Sequence, residues 1–289
     1  MFRALTRERT PLWLYPGLLS LDAPLVAVAW LHVFANIWRV NYLPWMAYLA
    51  LGLAVWVIHV ANRLQTARRF GGEGPGARHR FHARHAPVFL GAGLLAVLAL
   101  LVLVLTQLPV SVFGYLPVGV VLVAGFLVIS RLHGGLADDS GFGRTILAGA
   151  ALAYGTAMMA HLFLPGMGKH DLVRSREFLT FAVLCVLYLR ATDFWEKSAA
   201  RAGTGGADDV PGDLAITLPV LLLGVAALVF AITSHHHSVR PFYYAILTGA
   251  ALIHVINRNC REFSSGQLRL LADGAMLAPA VIFHAYPAA

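Results

Sequence analysis

The stretch that decides the fold runs from Ala86 to Leu108, APVFLGAGLLAVLALLVLVLTQL. It carries no charge, and its strongly polar residues, Thr106 and Gln107, come only at its end. The hydrocarbon core of a bilayer is crossed by about 20 apolar residues in a helix, so this segment reads as a transmembrane helix. The whole chain has the same character. Of its 289 residues 58% are hydrophobic and 12% charged, with mean hydropathy +0.70. Soluble domains carry about twice that charged fraction.

Outward from Ala86 the pattern repeats. The predicted spans are 21–39, 43–62, 86–106, 109–130, 144–164, 177–194, 214–234, 241–257 and 267–286. The third and fourth are parted at Leu108-Pro109. Proline can open a helix, and the two together are too long for one crossing. Within lipid every backbone N–H and C=O must be satisfied internally, which admits helices and closed barrels only. Residues 1–289 are therefore read as a single all-α integral membrane domain of nine transmembrane helices.

The basic residues orient it. With the N-terminus inside, only Arg39, Lys169, Arg174, Arg176 and Arg240 fall outside, and the remaining 17 of the 22 lysines and arginines fall inside. Basic residues collect in cytoplasmic loops, so a cytoplasmic N-terminus and an external C-terminus are expected. The formal net charge of +8 is then a topology signal in short loops and no footprint of nucleic acid. Cys185 and Cys260 give neither a disulfide framework nor a zinc pattern. The first twenty residues lack an apolar core and a small-residue cleavage site, so no removable signal peptide is expected. With the arginine bias, this fits a bacterial inner membrane.

Two polar clusters stand at helix ends that the arginines place inside. The first is Val57–Phe70, VIHVANRLQTARRF. His59, Asn62 and Arg63 lie close on one helical face, with Gln65 and Arg69 just beyond. Arginines and amides together suit an anionic headgroup; a snorkelling basic collar accounts for the arginines equally well. The second is Arg190–Arg201, RATDFWEKSAAR. Asp193 and Glu196, three apart, share a helix face and either face a ligand or pair with Arg190 and Lys197 beside them. Trp195 between them reads as an anchor at headgroup depth.

Nine helices with polar clusters at the cytoplasmic ends of the second and sixth resemble the UbiA superfamily of intramembrane prenyltransferases. In that family the second helix ends in N-D-x-x-D-x-x-x-D and the sixth carries a related aspartate motif, whose carboxylates hold Mg²⁺ on a prenyl diphosphate. Here the first motif falls on Ala61, Asn62, Gln65 and Arg69, and no carboxylate survives. The resemblance implies a diphosphate held by His59, Asn62, Arg63, Gln65 and Arg69, with Mg²⁺ on Asp193 and Glu196. It implies membrane lipids as surroundings, and a prenyl diphosphate and a hydrophobic aromatic or lipid acceptor as partners. A member that kept the fold and lost the chemistry would bind a lipid or a membrane partner.

Other features carry separate expectations. Asp273, about a turn inside the ninth span, is an intramembrane carboxylate whose plain partner is Arg269. Asp22 reads as a helix-dipole residue; Asp138-Asp139 and Asp208-Asp209 read as solvated turns. His32, His59, His161, His254 and His284 lie in or near spans and leave a haem- or quinol-binding protein as a rival class. A transporter is a third class: nine helices with Gly155, Pro219, Gly224 and Pro279 inside spans allow it, and the absence of matched broken helices or a midplane charge pair speaks against it.

Overall fold

A computed structural model describes residues 15–69, 77–132, 141–166, 168–202, 212–234 and 237–285, with side chains except at 69, 77–79, 199–202, 212–213, 237, 265 and 284–285. The Gly-rich loop segments 70–76 and 203–211, and with them Asp208-Asp209 and the pair Asp138-Asp139, lie outside the described residues.

Each of the apolar stretches carries one long helix. These are α1 (Asp22–Ile37), α2 (Trp45–Arg69), α3 (Ala86–Thr106), α4 (Leu116–Leu132), α5 (Gly141–His161), α6 (Arg176–Ala202), α7 (Gly212–Thr233), α8 (Arg240–Arg258) and α9 (Ser265–Ala285). A short helix, Tyr15–Leu18, precedes α1, and two others, Ala77–Arg84 and Lys169–Arg174, lie between long helices. Five of the long helices, α2, α3, α6, α7 and α9, are long and apolar enough to cross a membrane by length and composition. α1 and α4 are shorter apolar helices of 16 and 17 residues.

The fourth helix starts later than expected. Pro109 is extended at φ −60°, ψ 145°, and leads into a 3₁₀ turn, Val110–Gly114. α4 begins at Leu116 with Pro117 in its first turn, where the missing N–H costs nothing. Pro109 breaks the chain, and Pro117 is the proline that opens the helix.

α1, α5, α6, α8 and α9 contribute most of the buried residues. α1 packs on α2, α5 and α9, while α6 meets α5, α7, α8 and α9. Lipid tails are as apolar as leucine, so close packing holds such helices together, and small residues permit it. Ala153, Ala157 and Ala160 of α5, Ala245 and Ala250 of α8, and Ala272 and Ala275 of α9 are all buried. Larger rings fill the remaining space: Trp30 and Phe34 of α1 pack on Phe181 of α6, with centroids 4.6 and 5.3 Å away. By contrast α3 exposes most of its side chains and packs chiefly on α2.

Two buried indoles in the bundle are tied to partners. Trp30 Nε1 donates to the Met276 carbonyl at 2.8 Å, and Trp195 Nε1 to Asn257 Oδ1 at 2.8 Å. Trp195 is thus a core residue, 2% exposed, and not the headgroup anchor its position suggested. The indole N–H needs an acceptor wherever it is buried, and Asn257 of α8 provides one.

Candidate functional site

The starts of α1, α5 and α9 meet the ends of α2, α4 and α6 around a cavity of about 190 Å³. Helical periodicity puts its lining on single stripes. Val55, His59, Asn62 and Thr66 recur every three or four residues along α2, and Tyr188, Thr192 and Glu196 every four along α6. Arg144, Ala148, Ala151 and Leu152 do the same on α5. The lining is divided chemically. Val26, Val55, Ile58, Phe126 and Leu152 make an apolar part; Asn62, Arg63, Arg144, Asp193, Glu196 and Arg269 make a polar one.

The structure brings the two expected clusters together. His59, Asn62 and Arg63 from α2 and Asp193 and Glu196 from α6 line this one cavity. Gln65 is half-buried on α2 but is not part of the lining, and the side chain of Arg69 lies outside the described residues. Gln65 is three residues beyond Asn62, which carries it round the helix away from the stripe. The diphosphate set read from the aligned motif therefore reduces here to His59, Asn62 and Arg63.

Local contacts fix the α2 groups. Thr66 Oγ1 donates to the Asn62 carbonyl at 2.8 Å. His59 Nδ1 is 3.2 Å from the Val55 carbonyl, which can only accept, so Nδ1 is the donor in this contact.

Three residues seen in the sequence as topology or dipole charges belong to the cavity: Asp22, Arg144 and Arg269. Arg144 of α5 donates from Nη2 to Asp193 Oδ1 at 2.5 Å, and Lys197 Nζ stands 3.1 Å from Oδ2 of the same carboxylate. Arg269 of α9 donates from Nη1 to Glu196 Oε1 at 2.6 Å, and its Nε lies 3.9 Å from Asp22 Oδ2. Asp273 was expected to use Arg269, one turn earlier, and stands within electrostatic reach of it; the Tyr188 hydroxyl in addition donates to its Oδ1 at 2.5 Å. Arg190, also expected to pair on its own helix, lies over the Phe142 ring at 5.6 Å.

This donor set suits magnesium poorly. Mg²⁺ takes a near-octahedral shell of oxygens, usually with one or two carboxylates and phosphate oxygens. Asp193 and Glu196, the carboxylates expected to hold it, are each in contact with a protein cation. Among the described residues no group of three or more His, Cys, Asp or Glu is placed to hold a metal ion. The histidines are spread: His32 pairs with Tyr48 at 3.0 Å and His161 with Tyr115 at 2.8 Å. The side chain of His284 lies outside the described residues.

The cavity can offer guanidinium, amide and hydroxyl donors to a polar head, beside apolar side chains for a chain attached to it. Comparison with protein-family models, curated proteins and solved structures finds no match to this chain.

Proposed function

We propose that the chain is a nine-helix integral membrane protein, cytoplasmic at its N-terminus and external at its C-terminus, that binds an isoprenoid or other lipid diphosphate on a UbiA-like plan. One observation carries this reading. Arg63, Arg144 and Arg269, from three different helices, line one cavity together with the carboxylates of Asp22, Asp193 and Glu196, beside an apolar wall that includes Val26, Val55, Ile58 and Phe126. Guanidiniums are matched to phosphate oxygens by geometry as well as charge. A volume of about 190 Å³ suits a headgroup, with its chain continuing between helices. The positive-inside bias supports a cavity at the cytoplasmic side, and the arginine-rich pattern fits a bacterial inner membrane.

Binding is better supported than prenyl transfer. Ionisation of a prenyl donor needs its diphosphate neutralised, which Mg²⁺ on free carboxylates would supply. Here the α6 carboxylates already neutralise arginines. The test uses purified protein in phosphatidylcholine nanodiscs, titrated with geranyl, farnesyl and geranylgeranyl diphosphates in EDTA or in Mg²⁺. Saturable binding in EDTA is expected, with no diphosphate released. Arg63→Gln should weaken it roughly tenfold, the scale of one lost charge-assisted hydrogen bond. Absence of binding at every chain length would sink the reading, and Mg²⁺-dependent diphosphate release would restore the transferase.

A further inference from the structure

We propose that Asp193 and Glu196 are built-in counter-ions that occupy the place of the ligand's phosphate charge and so set which headgroups the cavity admits; this rests on the diphosphate-binding reading above. Each carboxylate takes an arginine from another helix, Arg144 from α5 and Arg269 from α9, and both arginines line the cavity. A cation withdrawn from water without an anion is costly, so the cavity must carry its own counter-charge. Three guanidiniums, of Arg63, Arg144 and Arg269, face three carboxylates, of Asp22, Asp193 and Glu196, so the lining is close to neutral. A ligand anion enters only by exchange.

Each displaced carboxylate has somewhere to go. Asp193, with its side chain 10% exposed, keeps Lys197 at 3.1 Å. Glu196, 48% exposed, can turn to solvent, where an unpaired carboxylate is well hydrated. Arg269 also has a donor to spare: its Nε is buried without a hydrogen-bond acceptor, with Asp22 Oδ2 3.9 Å away. A phosphate bound on the side-on fork of Arg269, through Nε and Nη2, would satisfy it, which the contact of Nη1 to Glu196 does not. Exchange therefore favours heads with several charged oxygens. A diphosphate can replace two carboxylates, and a phosphodiester with one charge cannot.

The opposite role, as metal ligands, predicts the opposite sign. In EDTA and phosphatidylcholine nanodiscs, Glu196→Gln and Asp193→Asn should each raise affinity for geranylgeranyl diphosphate, by roughly tenfold for one released guanidinium. Geranylgeranyl monophosphate, weak on the wild type, should gain more, so that selectivity for two phosphates falls. Adding Arg144→Gln to Asp193→Asn should cancel the gain. Inorganic pyrophosphate should show the same order of variants, which locates the effect at the head. Phosphatidylglycerol in the nanodisc should compete with the diphosphate in Glu196→Gln and not in the wild type. If Asp193→Asn melts in the purified state, Glu196→Gln, at the exposed rim, decides the matter. Unchanged or weaker binding in the variants while the wild type binds, or strong phosphatidylglycerol competition in the wild type, overturns the counter-ion role alone. A wild type that binds no probe overturns the functional reading and this inference with it.

Discussion

Tyr188 donates its hydroxyl proton to Asp273 Oδ1 where α6 faces α9, and the two residues are 5% and 6% exposed. A buried carboxylate that loses a donor bears the desolvation cost of the lost bond, about 1–3 kcal/mol. Tyr188→Phe should therefore lower the melting temperature of the purified protein. Asp273→Asn should lower it less, because the amide oxygen still accepts from Tyr188. Equal melting of wild type and Tyr188→Phe would mean that the pair is not part of what holds α6 to α9. At this scale the sequence was only partly legible. It marked Asp273 as a group needing a partner, and local spacing found Arg269, whose charge does act on it; the tyrosine 85 positions away could be found only in space.

At the scale of elements, α5 and α6 approach as closely as they do because residue 149 is glycine. A Cβ there would lie 2.7 Å from the backbone N and Cα of Val186, atoms that cannot rotate away. Gly149→Ala must push the helices apart, at about 1–3 kcal/mol for overpacking, and it loosens the Arg144–Asp193 contact in the same interface. Gly91→Ala on α3 meets nothing within 4 Å and serves as the control. Thermal unfolding of the two variants should separate them, with Gly149→Ala the less stable and the weaker binder of geranylgeranyl diphosphate. Two equally stable variants would contradict the tight α5–α6 contact. The long helices were legible because apolar length is a local property, whereas Gly149 differs from Gly91 only through what packs against it.

For the whole molecule the arginine distribution predicts sidedness. Reporter fusions should place residue 75 in the cytoplasm and residue 237 outside, and the reverse result would overturn the topology and move the cavity to the other face. The end of the bundle on which the cavity lies follows from the same count, since Asn62, Asp193 and Arg269 belong to helix ends assigned to the inside.

What the sequence determined by itself was the all-helical character and the position of nearly every long helix. Both follow from runs of apolar residues that have to satisfy their own backbone in lipid. It also brought forward His59, Asn62, Arg63, Asp193 and Glu196, because polar side chains at the ends of apolar helices stand out against their surroundings. Only the tertiary structure decided how the charges are matched. Arg144 and Arg269 looked like topology signals, and packing turned them into the partners of Asp193 and Glu196. Trp195 looked like an anchor in the headgroups and is buried against Asn257. Ion pairing and burial depend on distances between helices far apart in the chain, and a helix end has the same local composition whether it faces lipid headgroups or a cavity.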